Sequence, residues 1–507
     1  LLRIGGHRRT QEPEYGKQQY GKEYSGNSRG LRRLQIRPDK RPVLHVRDRP
    51  FNANPTGLPS GHVSWTVSFA ILIERDPLGK QMTWNRWYAF RSYLRSSLWI
   101  VPFVALLLEQ VTFRVTYAFN AKMTWIPPWP LSLSGTQSAL QTIITLMLSF
   151  IVFTFGSLLV AIQVASGQLT PRIIATTLLR DDVIRRTVGL FVFTLLFALG
   201  TVARIDTTVP HLIMWVAAIL GLASLMAFLF LIDYAARLLR PVSILWRVGE
   251  EGLAVIESVY PNSIRDADAL PAQHRQLGAP DGIVSHRGTS AIVLAVNLEA
   301  LVAEANRVDG VIEVVPRVGD FVSLGEPVFL LHCGSGAFDQ RKLRGSIALG
   351  PERTIEQDST FAFRVIVDIA IKALSKAIND PTTAVLAIDQ LHRLLRTVGG
   401  RHLHNEQIMD STGGLRVIFP TPNWGDFVQL ACREIRLYGA ENFQIARRLR
   451  AMIENLIAIL PESRRPALRQ ELDLLDRTIE KLYFLPEDIA LARISDTQGL
   501  GGSSGTS

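Results

Sequence analysis

Apolar residues are concentrated in four stretches of this chain between positions 98 and 232. Crossing the hydrocarbon core of a bilayer takes about 20 such residues in a helix. The first stretch, 98–119, is broken by Glu109 and Arg114, and the second, 140–165, is long and free of charge. The third, 188–203, reaches only about 24 Å at 1.5 Å per residue, but Arg186 and Arg204 at its ends can snorkel to the interfaces. The fourth, 211–232, is uninterrupted. The pattern predicts an α-helical integral membrane protein with four transmembrane helices over 82–240.

Loop charges set the expected orientation. Arg86, Arg91 and Arg95 precede the first span, and the next loop holds Lys122 among tryptophans and prolines. Arg172, Arg180, Arg185 and Arg186 follow the second span, and Arg237, Arg240 and Arg247 follow the fourth. Basic loops mark the cytoplasmic side. Both termini, and everything after Arg237, are therefore expected in the cytoplasm. Within the second span, Gln141, Thr145, Ser149, Gly156, Ser157, Gln163 and Gly167 recur at helical steps along one face. Such a face needs another helix or a water-filled cavity, and helix packing is the reading preferred. Glu109 and Arg114 form a candidate intramembrane ion pair; the alternative places both near the outer interface.

Beyond the spans the periodicity changes. Residues 241–280 read as a connector with turn signals at 260–262 and 278–282. Strands are predicted at 290–296, 311–315 and 328–331, with a short helix over 298–306 capped by Asn297. The run Gly319-Asp320-x-Val322-x-x-Gly325-x-Pro327 resembles the half-barrel of biotinyl and lipoyl carrier domains. Those domains need an acceptor lysine on a hairpin, and there is none here before Lys342. The element at 281–340 is therefore expected to be a small β-rich, barrel-like structural or docking module, within a C-terminal half of α+β class. From 341 to 495 the pattern is mainly helical. Asp358 and Ser359 open a helix expected to run to Ala377, with Arg364, Asp368, Lys372 and Lys376 at successive i+4 positions. Such a stripe is ordinarily a solvated face laced by ion pairs; the alternative is a site for an anion or an acidic partner. Asn379, Asp380 and Pro381 break the chain and restart it, with Asp380 as cap and Pro381 at the first helical position. A strand at 415–419 and helices at 424–438, 440–460, 466–484 and 486–494 complete the expectation. Residues 496–507 read as a disordered tail.

Composition adds three points. At 507 residues, 47% apolar and 20% charged, the chain is too long for one core and too apolar for a soluble enzyme. Cys333 and Cys432, the two cysteines, exclude a disulfide scaffold and suit a reducing compartment. The net charge of +10 resides mostly in residues 1–80, which hold 15 basic and 7 acidic residues. That stretch reads as upstream sequence preceding a start at Met82, in preference to a disordered nucleic-acid-binding arm. Trp84, Trp87 and Tyr88 with neighbouring arginines look like an interfacial anchor.

Three segments carry a family resemblance. SLLVAIQVASGQLTPRIIATTLLRDD (157–182), LGPERTIEQDSTFAFRVIVDIAIKALSKAINDPTTAVLAIDQL (349–391) and DTQGLG (496–501) are similar to the bacterial predicted membrane proteins called domain of unknown function 2254. The resemblance covers about 82–501 and implies an inner-membrane protein with a cytoplasmic C-terminal half, without an established activity. Where the family has a proline this chain has Lys376, so the helix there is expected to run a turn further.

No Walker loop, nucleophile elbow, His-Glu-x-x-His or Cys-x-x-Cys is present. Gly334-Ser335-Gly336 lacks the context of a phosphate loop. His402, His404 and Glu406 have a spacing open to a metal, but solvated histidines are preferred. Neither cofactor nor metal is expected. The leading functional expectation is a non-enzymatic, transport-class protein, pore- or channel-like, with a regulatory or assembly domain. Its partners would be the bilayer and a second copy of itself, not nucleic acid. A membrane-anchored scaffold for a cytosolic partner is the alternative, and a membrane enzyme using residues 358–381 the third reading.

Overall fold

The computed structural model describes residues 84–88, 91, 100–120, 127, 129–168, 181–205, 211–238, 240–264, 277–332, 337–403 and 407–501. The expected tail at 1–81, His404, Glu406, 334–336 and 502–507 lie outside the described residues.

Four helices are long and apolar enough to cross a membrane: α1 Ile100–Asn120, α2 Leu133–Gln168, α3 Asp182–Val202 and α4 His211–Leu238. Helix α3 starts six residues before the hydropathy does. Asp181 caps it by accepting hydrogen bonds from the Val183 and Ile184 amides, and its 21 residues then reach about 31 Å. The third span is thus of full length, and its flanking arginines need not make up a shortfall. Helix α3 is also central, touching the other three. Phe191 and Phe197 are buried at that centre, with Phe150 stacked on Phe228 at 4.0 Å beside them. Trp129 meets Trp215 edge-on at 5.1 Å at one end of the bundle. At the other end, Asn85 in a short helical segment at 84–88 donates to the Arg344 carbonyl of the C-terminal body at 3.4 Å.

The first part of the stretch read as a connector is helix α5, Pro241–Val259. Pro241 at its first position ends α4 and starts α5. Ile244, Leu245, Val248, Gly252 and Ile256 form its buried face. The helix is a wall of the main core. That core runs without a break from Met147, Phe191 and Leu238 of the apolar helices, through α5, to Phe363, Ile366, Leu391 and Leu394 of the body. Two helices of the body meet α5: α8 (Ser359–Ala373) and α9 (Pro381–Gly399). Gly252 allows the approach, since a Cβ there would lie 2.9 Å from the Ala362 Cβ.

Between α5 and α8 lie strands β1 Gly282–Ser285, β2 Ala291–Val296, β3 Val311–Val314, β4 Phe321–Val322, β5 Pro327–His332 and β6 Ile347–Gly350. Helices α6 (Leu298–Val308) and α7 (Gln340–Gly345) are interspersed. After α9 come β7 Gln407–Met409 and β8 Leu415–Ile418. The strands form a five-stranded sheet ordered β1-β5-β3-β8-β7 and a three-stranded sheet ordered β4-β2-β6. The β element is therefore not confined to 281–340. Its β3 pairs in parallel with β8, Ile312 opposite Val417, and β6 closes the second sheet. A bare edge beside the buried Ile312 would leave backbone polar groups unpaired, and β8 supplies the partners.

The remaining helices are α10 Trp424–Gly439, α11 Phe443–Ile459, α12 Arg465–Leu482 and α13 Pro486–Ala492. Two further expectations are corrected. Helix α8 ends at Ala373 and does not run on, because the Asp380 N–H bonds back to the Ala373 carbonyl at 2.8 Å, with Asn379 at φ +48°. Residues 496–501 are ordered. The Asp496 carboxylate accepts hydrogen bonds from the Gln498, Gly499 and Gly501 amides, and buried Arg447 donates to the Ile494 and Gly501 carbonyls. Gly499, at φ +72°, lies against Val385 where a Cβ would come within 2.6 Å.

Two outcomes are expected. Gly252→Leu should separate α5 from the body and destabilise the protein by about 1–3 kcal/mol, read as a lowered melting temperature in detergent; an unchanged one would refute the close approach. Burial alone would raise the Asp496 carboxyl, but the three amides and Arg447 outweigh it and hold it below its ordinary value. Its contribution is then full above about pH 4 and is lost as pH falls through the lower folded value. The stability gap between wild type and Asp496→Asn should accordingly close on acidification, in melting curves collected from pH 7 to pH 3.

Candidate functional site

Most of the side chains with chemical potential in the sequence are engaged locally. On α2, Gln141, Thr145 and Ser149 face away from α1, α3 and α4, while Leu140, Met147, Phe150 and Leu158 pack inward. The Thr145 and Ser149 hydroxyls donate to the Gln141 and Thr145 carbonyls at 2.9 Å, and Ser157 to the Thr154 carbonyl at 3.0 Å. Gln163 is exposed as well. Among the described residues this stripe packs against no other helix, and the helix contacts of α2 use its apolar side. Ser157 borders a cavity of about 170 Å³ between α2, α3 and α4. Its other walls include Phe153, Leu158, Phe228 and Leu231.

Glu109 and Arg114 are not an ion pair. They are five residues apart and so project from different sides of α1. Glu109 is 2% exposed and faces Arg204, Oε1 to Nη1 3.9 Å, while Arg114 is exposed. The Gln110 amide donates to Glu109 at 2.7 Å, and the Arg204 guanidinium lies 4.2 Å from the Phe113 ring. Glu109 also abuts Gly200, two residues from the end of α3. The carboxylate thus lies beside the last turn of α3 and near the middle of α1, which runs on to Asn120.

The 358–381 block is divided among separate tasks. Asp358 caps α8, accepting from the Phe361 amide at 3.0 Å and from Arg353 at 2.5 Å. Arg364 is clamped between Asp368, one turn on, and Glu434 of α10, and its guanidinium holds the Glu434 carboxyl below the usual range. Lys372 occupies the last turn of α8. Asp380 caps α9 through the Thr383 amide at 3.0 Å, with Pro381 following and Asn379 in the left-handed turn before it. Asp358 and Asp380 flank a helix of 15 residues, about 22 Å long. The two carboxylates therefore stand at opposite ends of α8, whereas the enzyme reading requires them in one cleft. Among the described residues no group of three His, Cys, Asp or Glu is placed to hold a metal. The His402 amide bonds to the Asn262 carbonyl.

The polar centre that sequence reasoning missed is at the bundle end facing the body. Asp181 is 6% exposed. One carboxylate oxygen caps α3; the other accepts hydrogen bonds from Tyr234 of α4 at 2.7 Å and Arg247 of α5 at 2.8 Å. Arg247 also reaches the Tyr234 hydroxyl at 3.3 Å. One carboxylate thereby joins two apolar helices to the first helix of the body. The Asp-Asp pair before an apolar run is a visible capping signal, but its partners lie 53 and 66 residues on.

Four apolar helices, a body built onto them through a shared core and a charged junction between the two define a helical membrane protein with an α+β C-terminal part. The chain belongs to the family described as Predicted membrane protein (DUF2254), which it matches over residues 95–455. Uncharacterized proteins of Mycobacterium tuberculosis and Mycobacterium bovis are each 26% identical to it over 444 residues, covering 80% of this chain and 81% of theirs. No solved structure matches the chain.

Removing one partner of a buried ion pair costs about 3–5 kcal/mol, and an N-cap alone about 1 kcal/mol. Asp181→Asn retains an oxygen for the α3 amides but loses the charge that holds Arg247. It should speed hydrogen exchange in α5 while sparing the start of α3, whereas Asp181→Ala should loosen both. Equal exchange in α5 for wild type and Asp181→Asn would refute the junction.

Proposed function

We propose that the protein is a non-enzymatic, transport-class protein of the bacterial inner membrane that works as a homo-oligomer, with its body and both chain ends in the cytoplasm. The observation that carries this reading is the outward polar face of α2. An amide such as Gln141 or Gln163 left without partners in lipid is costly, and a second copy meeting that face relieves the cost. The hydroxyls of Thr145, Ser149 and Ser157 donate to their own backbone, which leaves their oxygen lone pairs free to face water. The interior of a single bundle is filled by Phe191, Phe197 and Met214, so a path would run between copies. The shared core and Asp181 give the body a grip on α3 and α4, as a regulatory domain needs. The orientation rests on the basic residues Arg185, Arg237 and Arg247 at the body end.

The alternative, a membrane-anchored scaffold, is favoured by Phe321 and Leu324, which are 64% and 68% exposed beside a turn of the β module. Conductance separates the two. The purified protein in planar bilayers should give discrete openings that Gln163→Leu or Ser157→Leu alters, and Ser149→Cys should form a disulfide-linked dimer under oxidation. Silent bilayers together with an uncross-linked Ser149→Cys protein would overturn the transport reading.

A further inference from the structure

The exposed side of α5 is one stripe at helical steps, and it changes character along the helix. Val242 and Trp246, on the first two turns, are 52% and 53% exposed. Glu250, Ala254 and Glu257 continue the stripe on the later turns. Glu250 is paired with Arg393 and Glu257 with Arg401, both from the body. Trp246 gives one ring face to the Arg393 guanidinium at 4.1 Å and leaves half its surface open. The opposite side of the helix, from Ile244 to Ile256, is the core wall.

The charged junction fixes the level at which the apolar pair stands. Tyr234 and Arg247 are 13 positions apart. In one straight helix that is about 20 Å, more than the two side chains together can bridge. Yet the Arg247 guanidinium reaches the Tyr234 hydroxyl at 3.3 Å, and both groups bond to Asp181 at the start of α3. The chain therefore bends sharply at Arg240 and Pro241, and the first turns of α5 pass across the end of the bundle. Trp246 is thereby level with the last turns of α4, close to the exposed Arg240 of the bend. Val242 follows just after α4 ends at Leu238, so the surface that the pair continues is the one a bilayer covers. Tryptophan collects where headgroups meet hydrocarbon, and an exposed arginine there can extend to the phosphates. A helix whose outward apolar residues stop after two turns suits shallow entry at one end only.

We infer that the first two turns of α5 are an interfacial lipid-binding segment, with Val242 and Trp246 in the boundary between phospholipid headgroups and acyl chains and the acidic remainder of the stripe in water. The body is thereby seated on the membrane through α5 as well as through α4. The segment does not depend on the transport reading, since a scaffold would be seated the same way.

The test is depth quenching of the full chain in liposomes of phosphatidylcholine and phosphatidylglycerol. It uses a Cys333→Ser background, in which Cys432 is buried and stays unlabelled. Val242→Cys and Ala254→Cys are each labelled with an environment-sensitive fluorophore; both positions are exposed, so neither substitution disturbs the core. Lipids brominated near the top of their acyl chains should quench the label at 242 about threefold and leave that at 254 nearly unchanged. A sulfonated maleimide that cannot enter the bilayer should react with unlabelled Val242→Cys about tenfold more slowly than with Ala254→Cys. Equal quenching at the two positions, no quenching at 242, or equal reaction rates would each overturn the inference. Slow reaction at 242 without quenching would also overturn it, by placing a protein surface over the stripe.

Discussion

The packing of one amphipathic helix, α5, conditions much of this structure. Its apolar face is shared between the bundle above and the body below, and its glycines let α8 and α9 come within van der Waals range. A helix used on both sides cannot serve as a loose tether. Movement of the body has to move α5, and through Arg247 and Asp181 that movement reaches α3, the helix every other apolar helix touches. Trp246 strengthens the lower contact: the Arg393 guanidinium lies 4.1 Å from its ring while bonding to Glu250 and Gln390. Aromatic, ionic and close-backbone contacts therefore coincide on one element.

Charges in the body follow the same economy. Arg447 and Asp496 close the last ordered segment, and Arg448 binds Asp389 at 2.6 Å while reaching the Asp496 and Thr497 carbonyls. Arg436 stands 3.8 Å from Glu471 inside the helical layer, where burial pushes the Glu471 carboxyl up. Burial likewise pushes the Cys432 thiol far up and leaves it a core side chain with little thiolate character. Such groups give the helical layer a single register, because a slipped packing would leave a buried charge without its partner. On the apolar helix α2, by contrast, Gln141, Thr145 and Ser149 turn polar side chains outward.

The four spans and most helices of the body were legible because they rest on local signals. Hydropathy marks the spans, and Asp358, Asp380 and Asn297 are capping residues immediately before their helices. The capping signal of Asp181, had it been weighed, would have extended α3 to full length. Helix α5 was passed over although Ile244, Val248, Gly252 and Ile256 repeat at i+4, since glycines in the apolar stripe disguise it. The α2 stripe was legible as a face and no further. Periodicity identifies a distinct face without saying toward which neighbour it turns. Glu109 with Arg204, Arg364 with Glu434, and β3 with β8 all join positions tens of residues apart, and no spacing rule encodes such pairs.

The parallel pairing of β3 with β8 has a consequence for how the protein is made. Strand β3 ends at Val314, and its partner begins a hundred residues later, after α8 and α9 have been added. Synthesis runs from the N-terminal end, and pairings between distant segments form slowly. The bundle is thus complete, and available for insertion, while the β module is still an unclosed sheet. The β module can close only after the four apolar helices, α8 and α9 have all been made.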